Sequence, residues 1–182
     1  MNNALRPRSR RGGFTLLEIA VATIIIGVGL TALMATMRAG TSANSSSNKL
    51  TTSLFLAQNI HEWTRRLPFR DPDPEDAGNP PGPDGGTSPQ DFVDDVDDLM
   101  DVTFCPPRDG TGAKILSLPD WSQTITMTWR EPDDLLLKTP AAPTPAPGST
   151  DTILVTVDIK YRGTPVYTMR YFIFDRTIPP LP

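Results

Sequence analysis

The chain has 182 residues, 38% hydrophobic and 7% aromatic, which suits one small domain with an appendage better than a large compact enzyme. A single cysteine, Cys105, excludes an intramolecular disulfide and a cysteine-based zinc site, and a single histidine, His61, argues against a histidine metal site or a catalytic triad. Residues 1–13 hold four of the 17 basic side chains and no acid, so the remainder carries 13 basic and 21 acidic side chains. This balance of −8 disfavours nucleic-acid binding, because binding phosphates requires clustered Lys and Arg.

A long apolar run follows the basic leader. Residues Phe14 to Met37 are 24 residues with one charge, Glu18. As a helix this run would be about 36 Å long, enough to cross a hydrocarbon core of about 30 Å. The positive-inside rule places the leader in the cytoplasm and the chain after Met37 on the other side. A cleavable secretory signal is the competing interpretation, but its apolar region is usually only about 7 to 15 residues.

The residues around the start of this run form a recognisable motif. The segment Gly12-Gly13-Phe14-Thr15-Leu16-Leu17-Glu18 resembles the class III signal of type IV prepilins and type II secretion pseudopilins. In that family a prepilin peptidase cuts after the Gly and N-methylates the new first residue, and a Glu is fifth in the mature chain. The resemblance implies cleavage between Gly13 and Phe14, methylation of Phe14, and Glu18 as the assembly carboxylate. Ser9-Arg10-Arg11 also raises a twin-arginine export signal, but the Phe comes one residue late for that pattern.

The family chemistry gives a physical reason for an acid in an apolar helix. Cleavage would create an α-amino group on Phe14, with a reference pKa of about 8, and methylation would keep its positive charge. In the family, the Glu pairs with the amine of a neighbouring subunit. Such a pair in a low-dielectric medium is favourable only when both members are present.

The pattern predicts that the helix continues beyond the membrane. An apolar stripe at three- and four-residue steps runs to Pro68, which ends it; its members are Leu50, Leu54, Ala57, Ile60 or His61, and Leu67. One helix from Phe14 to Leu67 would contain 54 residues. We interpret His61 as a packing residue of this helix.

An acidic, proline-rich region follows the helix. Residues 68–90 contain seven prolines and four glycines and are predicted to form an exposed loop, while the apolar spacing of 91–101 predicts a short acidic helix. Eleven acids and no Lys or Arg between Asp71 and Asp101 raise the possibility of calcium. The EF-hand pattern is absent, so we interpret the region as a solvated acidic face and predict no metal and no cofactor.

The last part of the chain predicts an antiparallel sheet. Apolar and polar residues alternate in 123–129 and 152–161, and residues 162–165 form a Gly-containing turn before a further strand, 166–174. A fourth strand could come from 102–105 or from 114–118. Cys105 is expected to be a buried or half-buried free thiol. The second half of the long helix would cover the sheet, which gives an α+β, pilin-like fold with one long N-terminal helix on a small antiparallel sheet.

These features divide the chain into five predicted segments. They are a leader, 1–13; a membrane or filament-core helix half, 14–37; the second half of the helix, 38–67; the loop and acidic segment, 68–101; and the sheet with its C-terminal hairpin, 102–182.

The resemblance implies a minor pilin or pseudopilin, a structural subunit of a type IV pilus or type II secretion filament, and not an enzyme. The chain has no catalytic fingerprint, and it lacks the C-terminal cysteine pair that many major pilins use.

The implied partners are the prepilin peptidase/methyltransferase, other pilin or pseudopilin subunits, the inner-membrane assembly platform and membrane lipid. The implied location is the bacterial inner membrane, with an extracytoplasmic C-terminal domain, and then the filament. A single-pass anchored binding module that does not assemble is the alternative, and an exported soluble protein is a third possibility.

Overall fold

The computed structural model describes residues 13–72, 80–83, 92–133, 135 and 144–176. The elements in chain order are α1 (Leu16–Thr64), a 3₁₀ helix (Asp97–Leu99), β1 (Thr103–Phe104), β2 (Trp121–Trp129), β3 (Thr152–Tyr161) and β4 (Thr164–Phe174). The strands form one antiparallel sheet in the order β1-β2-β3-β4. The chain divides into two compact units, Met1–Ser46 and Ser47–Pro182. One long N-terminal helix and a four-stranded antiparallel sheet confirm the predicted α+β, pilin-like fold.

The first unit contains the apolar part of α1. Its large apolar side chains are exposed, for example Leu16 at 86% and Ile24 at 66%. By length and composition alone, this helix could cross a membrane. It begins at Leu16, two residues later than predicted, because Thr15 acts as its N-cap.

In the second unit, α1 buries a narrow stripe. Leu56, Ala57 and Ile60 are fully buried and Trp63 nearly so, within one hydrophobic core that also contains the inner face of the sheet. The predicted stripe is confirmed at Ala57 and Ile60. It is wrong at Leu54, which is 40% exposed because it lies about 120° around the helix from Ile60. It is also wrong at Leu50, which is 52% exposed.

The helix ends at Thr64, three residues before the predicted end at Leu67. The last turn tightens, and the N–H of Arg66 donates to the carbonyl of Trp63 at 2.9 Å. Pro68 disfavours the helical conformation at Leu67, the residue before it, which explains why the helix does not reach its predicted end. The predicted acidic helix over 91–101 is also shorter than expected, since in the described residues it is only the 3₁₀ turn Asp97–Leu99.

The strand predictions are confirmed with small changes of boundary. β2 starts two residues earlier than predicted and β3 matches its predicted range. β3 and β4 form a hairpin joined by Arg162 and Gly163, both with positive φ, as a two-residue type I′ turn requires. This tight turn lets β4 begin at Thr164, two residues earlier than predicted. The fourth strand, β1, comes from the first of the two predicted segments.

The two faces of the sheet differ in chemistry. The inner face carries buried β-branched residues, such as Ile125 opposite Val157. The outer face of β2 carries Ser122 and three threonines, and the most exposed of these is Thr126. The alternation with period two explains this division, because successive side chains of a strand point to opposite faces.

One buried amide connects the helix, the sheet and the loop after β1. Gln123 of β2 is fully buried, and its Nε2 donates to the carbonyl oxygens of Leu56 at 2.9 Å and Arg108 at 3.0 Å. Its Oε1 accepts the N–H of Arg108 at 2.6 Å. Because a buried polar group is costly unless it is paired, these three bonds fix the register between the three elements.

We expect Gln123→Leu to destabilise the second unit by about 2 to 4 kcal/mol, because both backbone groups of Arg108 would lose a buried partner. Chemical denaturation followed by tryptophan fluorescence measures this. Thr126→Val on the exposed face of the same strand is the control and should change stability by less than about 0.5 kcal/mol. Equal effects of the two substitutions would contradict the assigned role of Gln123.

Candidate functional site

The start of α1 brings the predicted processing residues into one turn of the chain. Gly13 and Phe14 lie directly before the N-cap, and the Phe14 side chain is 84% exposed. Glu18 lies in the first turn of the helix. The three residues predicted from the motif are therefore neighbours along an exposed helix start.

Glu18 and Thr15 form a reciprocal helix cap. The Glu18 Oε2 accepts the backbone N–H of Thr15 at 3.1 Å, and the Thr15 hydroxyl oxygen accepts the backbone N–H of Glu18 at 3.3 Å. The Thr15 hydroxyl also donates to Glu18 Oε2 at 3.3 Å. This is a capping box, in which two otherwise unpaired N–H groups at the helix start receive acceptors.

The cap places a negative charge where the helix favours it. The N-terminal end of a helix carries a partial positive charge, so the Glu18 carboxylate is stabilised in the first turn. The residues predicted from the sequence included Glu18 but not Thr15. A signal for Thr15 was present, because Thr followed three residues later by Glu before an apolar run is the capping-box pattern.

The residues around this helix start match a known protein-family motif. Residues 8–34 match the family model described as the prokaryotic N-terminal methylation motif. The match covers the end of the basic leader, the capping box and most of the apolar run. The chain therefore carries the N-terminal motif of type IV prepilins and pseudopilins. The motif implies processing at the N-terminus by a prepilin peptidase, and together with the apolar helix it supports anchoring in the inner membrane.

No curated protein and no solved structure matches the chain. The likeness to prepilins therefore lies in the N-terminal motif, and the α+β fold agrees with it.

A second cluster of candidate side chains lies in the acidic segment. Carboxylate oxygens of Asp94, Asp95 and Asp98 lie within 4.8 Å of one another, a spacing that could hold a metal ion. The same carboxylates accept backbone hydrogen bonds. Asp98 Oδ2 accepts the N–H of Asp94 at 2.9 Å, and Asp95 Oδ1 accepts the N–H of Asp98 at 3.0 Å. The cluster thus closes the turn before the 3₁₀ helix by its own hydrogen bonds.

Two members of this cluster, Asp95 and Asp98, are buried, and Asp95 has a raised pKa. Burial, and then a hydrogen bond to the Asp97 side chain, raise the pKa of Asp95 to about 8. With this pKa the protonated form of Asp95 is favoured at neutral pH. A protonated carboxyl can donate to the Asp97 carboxylate, which removes the repulsion that two adjacent charges would cause.

Asp95→Asn should remove a pH dependence of stability. The pKa of Asp95 is higher in the folded protein than in the unfolded chain, so the wild type loses stability as the pH rises from about 4 to about 8. The amide keeps a donor and carries no charge, so we expect the variant to be more stable than wild type by about 1 to 3 kcal/mol at pH 9 and nearly equal at pH 4.

Thermal denaturation at both pH values measures this difference. Asp101→Asn, at an exposed position in the same segment, is the matched control and should not show the pH-dependent gain. A wild-type protein whose stability is unchanged between pH 4 and pH 9 would contradict the assignment.

The prediction made for Cys105 is wrong, and the prediction made for His61 agrees with the structure. Cys105 is exposed, so the expectation of a buried or half-buried thiol is wrong, because the residue directly follows the two-residue strand β1 and faces solvent. His61 is a packing residue, as predicted, and its ring meets the Tyr171 ring edge-on at a centroid distance of 4.5 Å. Burial, and then the nearby Arg65 charge, lower the pKa of His61.

Proposed function

We propose that this protein is a minor pilin or pseudopilin, a structural subunit of a type IV pilus or type II secretion filament. The observation that supports this most directly is the methylation motif over residues 8–34, in register with a helix whose first turn contains Glu18. In this proposal the prepilin peptidase cuts between Gly13 and Phe14 and methylates the Phe14 amine. The matured subunit then assembles through its N-terminal helix.

The capping box suggests how Glu18 serves both the free and the assembled subunit. In the structure its carboxylate accepts the N–H of Thr15, the residue next to Phe14. A charged group inside an apolar helix is costly, and this local bond satisfies part of the carboxylate before assembly. During assembly the methylated Phe14 amine of a neighbouring subunit would supply the positive charge that completes the pair.

The exposed apolar side chains of the first unit support packing among neighbouring helices. In a bilayer these side chains are already out of water, so helix association depends on close van der Waals packing and on polar pairs. A side-chain carbon added at Gly27 or Gly29 would meet nothing within 4 Å beyond the adjoining helix backbone, so both glycines present open backbone for a neighbouring helix. In such a medium the pair between Glu18 and the amine would set the register of each subunit.

The charge pattern supports one orientation in the membrane. The leader carries four arginines and no acid, so we infer that it lies in the cytoplasm and that the sheet domain lies outside the inner membrane. The further partners in this proposal are the inner-membrane assembly platform and membrane lipid. The sequence has one cysteine and so lacks the pair that many major pilins use, which favours a minor over a major subunit.

Mass spectrometry of the protein from native membranes tests the processing site. We expect a mature chain that starts at Phe14 and is heavier by one methyl group, about 14 Da. A chain that starts at Met1 would favour the alternative, an anchored binding module that does not assemble. A chain that starts after Ala35 would mean ordinary export and would overturn the filament proposal.

Glu18→Gln should separate processing from assembly. The neutral amide cannot pair with a cationic amine, so we expect normal cleavage and methylation but at least about a tenfold loss from the sheared filament fraction. Glu62→Gln, at an exposed position near the other end of α1, is the matched control and should assemble like wild type. Assembly of the Glu18→Gln protein at wild-type levels would exclude the proposed pairing.

A further inference from the structure

Among the residues that the structure describes, strand β4 is an open edge of the sheet. It pairs with β3 on one side only, as the last strand in the order β1-β2-β3-β4. The N–H of Asp175 donates to the carbonyl of Asp151 just past the end of the strand. Bonded pairs in an antiparallel ladder alternate, so the backbone groups of Thr168, Arg170, Phe172 and Phe174 point away from β3. Within the described residues, no backbone hydrogen bond reaches these outward groups.

A groove lies beside the last part of this edge. It has a volume of about 550 Å³ and is formed by the end of α1, the segment 67–70, Val96 and the residues from Tyr171 to Arg176. Side chains of Leu67, Phe69 and Ile173 are half-buried and form part of its apolar lining. At its base the Thr64 hydroxyl bonds to the Tyr171 hydroxyl at 3.0 Å. The groove can therefore hold an apolar side chain.

The charged residues of the groove are mainly basic. Arg65, Arg70 and Arg176 line it, against one acid, Asp175. Arg70 is held by Asp175 at 2.7 Å and by Asp151 at 2.8 Å, so its charge is compensated. Arg65 and Arg176 are exposed and make no ion pair within the part of the chain that the structure describes. Arg170, on the open strand itself, is exposed as well.

The basic charge of this edge and groove favours an acidic binding partner over a second copy of the chain. A second copy pairing through β4 would add the same basic residues, because the strand contains Arg170 and no acid. Like charges across neighbouring strands are destabilising, so self-pairing is disfavoured. An extended segment with carboxylates would instead meet cations at the edge and at the rim of the groove.

We propose that the β4 edge and the adjacent groove bind an extended acidic segment of another polypeptide. The segment adds to the sheet as a fifth strand, through the outward backbone groups of β4. One of its apolar side chains enters the groove, and its carboxylates pair with Arg65 and Arg176. Strand addition of this kind takes its affinity from the main chain and its selectivity from the side-chain pocket. This interaction does not involve the apolar first half of α1 and does not depend on the filament role.

The test uses the full chain in lipid nanodiscs and a fluorescein-labelled heptapeptide in which glutamates alternate with valines and one central phenylalanine. The comparison peptide has lysine in place of every glutamate. We expect fluorescence anisotropy to show saturable binding of the glutamate peptide, at least about tenfold tighter than the lysine peptide and weaker at high salt. Equal binding of the two peptides, or no binding of either, would overturn the proposal.

Paired variants test the cations. The double variant Arg65→Glu with Arg176→Glu should weaken binding of the glutamate peptide by about tenfold and improve binding of the lysine peptide. Arg66→Glu changes an exposed neighbouring arginine that does not line the groove, and it should leave both affinities nearly unchanged. An equal loss in the double variant and the control would mean general electrostatic attraction and would overturn the assigned site.

Modified peptides test the strand addition. N-methyl groups on alternate residues block one hydrogen-bonding edge of a peptide, so one of the two alternating patterns should abolish binding and the other should weaken it much less. Similar binding of both methylated peptides would contradict strand addition. A nanodisc-embedded chain that dimerises without peptide, and whose dimer is lost in a Thr168→Pro variant, would assign the edge to a second copy instead.

Discussion

The fold depends on covering one apolar face of a small sheet. Four antiparallel strands present a row of buried branched side chains on the inner face, and among the described residues α1 supplies the main stripe that packs within the same core. The buried Gln123 amide holds helix and sheet in register while it also satisfies the backbone of Arg108. Other close contacts follow from this register. Gly112, for example, lies so near the Trp63 ring that an added side-chain carbon would come within 2.6 Å of it.

The two parts of α1 are built for different surroundings. From Leu16 to Met37 almost every position is apolar, whereas the part in the second unit buries only a stripe that includes Leu56, Ile60 and Trp63. A helix that is apolar all round suits lipid or the inside of a helix bundle, and a helix with one apolar stripe suits a single packing surface. One continuous helix thus satisfies two environments through a change of pattern along its length. The prepilin motif at its start agrees with this division of roles.

Local pattern predicted most of the fold because most of it is specified locally. The alternation in 123–129 and 152–161 identified β2 and β3, and the Gly in the turn identified the hairpin. Features that depend on distant contacts were harder to predict. The exposed Leu54 is apolar and correctly spaced, and only the placement of the sheet shows that it faces away. The raised pKa of Asp95 likewise results mainly from burial, which a run of aspartates in a sequence does not reveal.

The candidate site was predictable in part for the same reason. Gly13, Phe14 and Glu18 lie within one short stretch of the chain, so their relation needs no tertiary structure. The role of Thr15 is also local but becomes clear only from the geometry of the cap. The open edge of β4 was not predictable, because the sequence shows the strands but not which of them is last in the sheet.

Because the helix stripe precedes the sheet in the chain, it is synthesised before the strands that cover it. The stripe around Trp63 leaves the ribosome about 110 residues before the end of β4, the last strand of the sheet it packs with. At about 5 to 20 residues per second, that interval lasts about 6 to 20 s. During this time a tryptophan and several aliphatic side chains have no sheet to cover them. The nascent chain is therefore prone to aggregation during this interval, which holding chaperones or rapid membrane targeting would shorten.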